Sequence, residues 1–86
     1  MILFSPQPGT PWTTVSLASG SISQSFVYTT PLVANQAPLI GQIMNSVDAS
    51  PIFLQGIVTA FSTTGFTITF NVAPDTANYK LAYIIL

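Results

Sequence analysis

The clearest pattern of hydrophobic and polar positions lies at residues 66–70, where Phe, Thr, Ile, Thr and Phe alternate. Strict alternation places Phe66, Ile68 and Phe70 on one face of a β-strand and the threonines on the other. The preceding residues 57–61 are rich in β-branched and aromatic side chains. A short connection ends in Gly65, which is available for a positive φ. The two segments predict a β-hairpin with one buried face.

The last strand is predicted over residues 79–86. Its alternating positions fall into one face with Tyr79, Leu81, Tyr83 and Ile85 and an opposite face with Lys80, Ala82, Ile84 and Leu86. Both faces become apolar toward the end, which predicts a strand covered on both sides, by its own domain or by a neighbouring chain. Pro74 and Asp75 predict a turn before it, because Pro presets φ and Asp bonds nearby backbone.

The first half of the chain predicts shorter elements. Residues 12–17 and 22–28 are predicted strands joined across residues 18–21, with Val15 and Leu17 facing inward. Residues 31–51 have no clean period and predict one more strand plus a loop around residues 45–48. Three prolines exclude residues 5–11 from a sheet interior.

These elements predict one all-β domain. We expect a compact antiparallel β-sandwich or barrel of about six or seven short strands over residues 12–86. An extended Pro-rich arm is expected over residues 1–11.

Charge changes the picture, because Asp48, Asp75 and Lys80 are the three charged residues among 86. A single Lys cannot neutralise the several phosphates that a nucleic-acid partner presents, and it provides no polybasic membrane patch. The chain has no run of about 20 apolar residues, which a transmembrane helix needs. Its N-terminus has no basic region of a signal peptide, so we expect synthesis in a cytoplasm, with the protein staying there or leaving with whatever it assembles into.

Candidate chemistry is equally sparse. The sequence has no Cys or His, which removes disulfides and the commonest transition-metal ligands. Asp48 and Asp75 lie in predicted turns, where we expect them to bond local backbone amides and not to flank a substrate or build a calcium cage. Serine and threonine nucleophiles lack a histidine base, and no phosphate-binding glycine loop occurs. We predict no enzymatic activity, no cofactor and no metal.

A chain of this length builds a thin core and usually needs support from disulfides, a metal or partner subunits. Neutral hydroxyls and amides suit permanent interfaces because they avoid the desolvation of charge. We therefore predict a homo-oligomer. The predicted contact residues are Met1, Ile2, Leu3, Phe4, Pro8, Pro11 and Trp12 in and beside the arm, and Tyr83, Ile84 and Leu86 in the last strand.

Two binding alternatives remain open. Exposed aromatic residues can bind sugars, and the candidates are Trp12, Tyr28, Tyr79 and Tyr83; packing is favoured for the paired Tyr79 and Tyr83, whereas Trp12 is the more open case. Pro8 and Pro11 have the spacing of a Pro-x-x-Pro ligand for an aromatic-lined groove, although no basic residue flanks them.

Residues 56–79 resemble the final hairpin of small β modules in tailed-phage virion proteins, which include head decoration (cement) proteins and fibre knobs. The shared pattern is a strand, a Thr64-Gly65-Phe66 turn, a second strand, a Pro74-Asp75 turn and a strand led by Tyr79. Similar hairpins occur in lectin-like and immunoglobulin-like domains.

The resemblance implies a structural protein of the virion, a homotrimeric decoration protein bound to the major capsid protein or another virion protein. A carbohydrate-binding fibre knob is the alternative. A third possibility is a small interaction module recognised through its Pro-rich arm.

Overall fold

The computed structural model describes residues 12–85 and forms six antiparallel β-strands in two three-stranded sheets. The strands are β1 Thr13–Ser16, β2 Ser23–Val27, β3 Leu39–Met44, β4 Gly56–Phe61, β5 Gly65–Phe70 and β6 Lys80–Ile84. This confirms the predicted all-β class and the small β-sandwich. The predicted arm, residues 1–11, lies outside the described residues, as does Leu86.

The first sheet has the order β1-β6-β3 and the second the order β2-β5-β4. The strands β1 and β2 therefore follow one another in the chain but belong to different sheets. The connection between them turns at Gly20, whose φ of +81° is unfavourable for residues with a Cβ. Its N–H donates to the carbonyl of Pro74 at 2.9 Å, which ties the crossover to the turn before β6.

A buried glutamine supports the same crossover. Gln24 is 8% exposed, and its amide group accepts from the N–H of Ala18 and donates to its carbonyl, both at 2.8 Å. A third bond runs from its amide nitrogen to the carbonyl of Ser21 at 3.0 Å. These bonds satisfy a buried polar side chain whose burial without partners would be costly. A side chain of the interior therefore holds the connection that crosses from one sheet to the other.

The predicted hairpin is confirmed as β4 and β5, which pair from Gly56 opposite Phe70 to Phe61 opposite Phe66. The proposed role of Gly65 is wrong, because Gly20 is the one glycine with a positive φ among residues 12–85. A Cβ at Gly65 would instead lie 2.1 Å from the carbonyl oxygen of Phe26. Gly65 is therefore needed because β2 approaches β5 closely.

The core lies between the sheets and uses the predicted faces of β5 and β6. Its members are Leu17, Leu54, Phe66, Ile68, Phe70, Tyr79, Leu81 and Tyr83. Ile68 and Leu81 are fully buried, and the rings of Phe66 and Tyr83 meet edge to face with centroids 4.9 Å apart. The inward faces predicted from the alternation in β5 and β6 therefore form the contact between the sheets. Val15 packs against this core from β1.

Residues 31–51 contain the one strand and the loop that were predicted there. In β3, Ile40 pairs with Tyr83 and Ile43 pairs with Leu81. An advance of three residues along β3 therefore matches an advance of two along β6. The extra residue is a β-bulge, which lets Ile40 and Ile43 face the core despite their odd spacing. After β3, the side-chain oxygen of Asn45 accepts from the N–H groups of Val47 and Asp48 and closes the loop.

Candidate functional site

The predicted contact residues fall into three groups in the structure. Six of them, Met1, Ile2, Leu3, Phe4, Pro8 and Pro11, lie in the arm and, with Leu86, outside the described residues. Tyr83 is 7% exposed and packs inside the core, so most of its surface is not available to a partner. Trp12 and Ile84 lie on the outer side of the first sheet.

The indole of Trp12 packs against this sheet at Gly41. A Cβ at Gly41 would lie 2.5 Å from Cζ3 and 3.0 Å from Cη2 of Trp12, and 3.2 Å from the carbonyl oxygen of Ala82. The absence of a side chain at Gly41 therefore makes the seat for the indole. Trp12 is still 42% exposed there, beside a hollow of about 320 Å³ that Gln42 also lines.

The surface around Trp12 is apolar and is called here the Trp12 patch. It consists of Trp12, Leu39, Gly41, Ala82 and Ile84. Leu39 pairs with Ile84 next to the inward pair Ile40 and Tyr83, so both side chains point outward. Leu39 is 48% exposed and Ile84 is half-buried. The outer face of β6 is therefore covered only in part by the described chain.

The outer face of the second sheet has a different character, because it carries a network of hydroxyl groups across three strands. Ser23 bonds Thr69 at 2.9 Å, Ser25 bonds Thr67 at 2.8 Å, and Thr59 bonds Thr69 at 3.0 Å. Each hydroxyl uses a neighbour as its partner, and the three pairs carry no charge. Exposed Val27 and Ile57 lie on the same face.

Asp48 is held by side chains from two loops. It accepts hydrogen bonds from Asn45, Thr76 and Asn78, and the bonds from Thr76, Asn45 and Asn78, in that order, hold the pKa of its carboxyl below the usual value. The prediction that Asp48 bonds the backbone of its own turn is wrong. Its carboxyl instead bonds side chains and forms a clamp between the loop after β3 and the turn before β6.

Asp75 is occupied in a second, related contact. It accepts a hydrogen bond from the hydroxyl of Tyr79 at 2.8 Å, and this hydroxyl accepts from the N–H of Ile52 at 2.8 Å. Burial raises the pKa of Tyr79; the bond from the N–H of Ile52 opposes this rise, whereas the hydrogen bond to Asp75 and the negative charge of Asp75 add to it. Asp48 therefore joins two loops directly, whereas Asp75 holds the Tyr79 hydroxyl that bonds the loop at Ile52. Residues 12–85 contain no cluster of three or more Asp, Glu, His or Cys that could bind a metal ion.

Sequence reasoning did not identify Gly41 and Leu39 as parts of the Trp12 patch. A glycine in a stretch without a clean period gives no indication that it seats an indole 29 positions away in the chain. The alternation around Leu39 and Ile40 could have shown that one of them faces outward, but the bulge in β3 hides the period.

Within residues 12–85 no helix reaches the length and apolar character required to cross a membrane. No family model, no curated protein and no solved structure matches this chain.

Proposed function

We propose that this protein is a non-enzymatic structural subunit of a phage virion, a homotrimeric decoration or cement protein that stabilises the capsid shell. The observation that carries the assembly role is the Trp12 patch, an exposed apolar surface at the base of the arm on an almost uncharged domain. Exposed apolar surface of this kind is typical of protein interaction sites. The virion assignment is supported by the resemblance of residues 56–79.

The partners proposed are other copies of the chain and a major capsid protein or another virion protein. A half-exposed Trp seated on backbone is a suitable anchor, because a large rigid side chain buries much area with little loss of conformational freedom. The arm, residues 1–11, ends directly before Trp12 and would extend the contact to a neighbouring subunit.

The first test is the mass in solution. Light scattering at low micromolar concentration should give three copies of the 9.1 kDa chain. A stable monomer would contradict the proposal.

A matched pair of variants assigns the surface. Leu39→Lys places an unpaired charge in the Trp12 patch and should raise the dissociation constant of the oligomer by at least about tenfold, because burying that charge is costly. Ile57→Lys places the same charge on the second sheet's outer face, where Ile57 is 68% exposed, and should leave the mass unchanged. Equal effects of both variants would rule out the patch as the specific interface.

The second candidate is a carbohydrate-binding fibre knob, and the hollow formed by Trp12 and Gln42 favours it. An indole beside an amide can stack on a sugar ring and bond its hydroxyls. A glycan screen that finds a specific ligand, with binding lost in Trp12→Ala and Gln42→Ala, would support this candidate. An oligomer that binds no glycan would leave assembly as the function.

A further inference from the structure

A second hollow, called here the Tyr28 groove, opens at the end of the sandwich where β2 and β6 end and β1 begins. It has a volume of about 370 Å³. Tyr28, Tyr83, Leu32 and Ile85 form its aromatic and aliphatic walls, and Thr13 lies at its rim. The residues that line it carry no charge.

The hydroxyl of Tyr28 is the unusual group in this groove. Its oxygen is buried and has no hydrogen-bond partner among residues 12–85, although its ring is well packed, with its centroid 6.2 Å from that of Tyr83 and 6.0 Å from that of Phe66. Burial, and after it the nearby Tyr83, raises the pKa of Tyr28, so the hydroxyl stays protonated and remains a donor. Buried donors without acceptors are rare, and this one lies beside an open groove.

Residues 5–11, Ser-Pro-Gln-Pro-Gly-Thr-Pro, have the complementary chemistry. Each proline offers a carbonyl acceptor without an N–H donor, so the segment has an excess of acceptors. Such segments favour the polyproline II conformation and bind grooves lined by aromatic side chains, where little conformational entropy is lost. Like the groove, the segment carries no charge.

We propose that the Tyr28 groove binds residues 5–11 of a second copy of this chain, with the hydroxyl of Tyr28 donating to a backbone carbonyl of that segment. This inference rests on the proposed self-association and names the contact that the arm makes.

The position of the groove favours a second copy over the same chain. Thr13 is both the first residue of β1 and part of the lining of the groove, so residues 5–11 end two positions before a residue of their own groove. Residues that precede proline favour extended backbone, and the sequence therefore predicts an extended arm over residues 5–11. Seven residues at ~3.1 Å each span ~22 Å, enough to reach a neighbour, whereas entering the same chain's groove requires a reversal directly before Trp12.

Disulfide trapping tests the contact in the full-length protein, which has no native Cys. Gln7→Cys mixed with Thr30→Cys, which lines the groove, should form a covalent heterodimer under mild oxidation. The control partner for Gln7→Cys is Ser50→Cys, an exposed position in the loop after β3 at the opposite end of the sandwich, which should form the heterodimer at least fivefold more slowly. Equal rates for both mixtures would overturn the proposal.

The double variant Gln7→Cys with Thr30→Cys decides the source of the segment. Covalent oligomers are expected, and a cross-linked monomer would assign the groove to the same chain's arm and overturn the exchange between copies. The mass of the wild-type protein in solution distinguishes a failure of the groove contact from a failure of the proposed function. An oligomer without selective cross-linking disproves only the groove contact, whereas a monomeric wild type disproves both.

Removing the hydroxyl alone gives a second readout. Tyr28→Phe keeps the ring and should raise the dissociation constant of the oligomer about threefold to tenfold, the usual effect of one lost hydrogen bond. Ser25→Ala removes a surface hydroxyl from the second sheet and should leave it unchanged. An unchanged dissociation constant in Tyr28→Phe would show that this donor meets no acceptor in the assembly and would overturn the proposal.

Discussion

At the scale of single residues, two glycines and two carboxylates do most to define the surface and the loops. Gly41 makes room for the indole of Trp12, and Gly65 makes room for the backbone of β2. Asp48 accepts hydrogen bonds that join two loops, and Asp75 accepts one from Tyr79, whose hydroxyl also bonds the N–H of Ile52 in a separate loop. Both carboxylates are therefore part of the hydrogen bonding of the loops. The surface is almost neutral because the chain has three charged residues among 86.

Gly41→Ala tests the seat of Trp12. The added Cβ would meet the indole at 2.5 Å, and since the indole is the end of a side chain it should swing away and not break the sheet. We expect a red-shifted emission of Trp12, the single tryptophan in the chain, and a loss of no more than about 1 kcal/mol in the free energy of unfolding. Ser50→Ala serves as the control, and unchanged emission in Gly41→Ala would disprove the seat.

Asp48→Asn tests the loop clamp through its pH dependence. The folded-state pKa of Asp48 lies below the ordinary 3.8, so its bonds stabilise the fold above that pH, and this stability is lost as the pH falls through the lowered folded pKa. Urea midpoints measured from pH 7 down to pH 2 should fall less steeply for Asp48→Asn than for the wild type. Parallel curves would contradict the clamp.

At the scale of elements, alternation predicted the strands in which the pattern is regular. The strands β5 and β6 were predictable because their periods are unbroken and their inward faces are large and apolar. The strand β3 and the far end of β4 were harder, because each contains a register shift that changes which face a residue occupies.

Non-local pairing could not be predicted at all. The strand β1 lies beside β6, with Thr13 opposite Tyr83, and nothing in either segment specifies a partner 70 positions away. The Trp12 patch depends on this pairing and on the bulge in β3, so the sequence indicated Trp12 and Ile84 as contact residues but not that they share a surface with Leu39 and Gly41.

Gly65→Ala tests the packing of β2 on β5. A Cβ there would lie 2.1 Å from the carbonyl oxygen of Phe26, and backbone cannot yield as a side chain end can. We expect a loss of about 3 kcal/mol in chemical denaturation, the upper part of the range for overpacking. Gly20→Ala, which has nothing within 4 Å but a φ of +81°, should cost about 1 kcal/mol, and a reversed order of the two variants would contradict the close approach.

At the scale of the whole molecule, the two outer faces divide the surface into an apolar patch and a hydroxyl network. Lys80, on the outer side of β6, is the one charge on these two faces within residues 12–85, so association should depend mainly on fit and on burial of apolar area. Because little charge steers the encounter, the proposed association should be slow.

The dissociation constant of the oligomer should therefore depend little on salt. Between 50 and 300 mM NaCl we expect a change of less than about threefold, because screening acts on charges that the interface lacks. Analytical ultracentrifugation across this range measures it. A tenfold weakening would mean that Lys80 or the carboxylates contribute to the contact, contrary to the proposed interface.

The register shifts in β3 and β4 have a consequence beyond the faces that they reorient. Both strands are sheet edges, and β1, a third edge, is only four residues long. Many proteins prevent their edges from adding foreign strands by placing lysines there, an option almost closed to a chain with one Lys. At β1, β3 and β4, in contrast to the regular five-residue edge β2, kinked or shortened backbone performs that protection, so a nearly uncharged protein can expose apolar surface beside these edges without adding strands there.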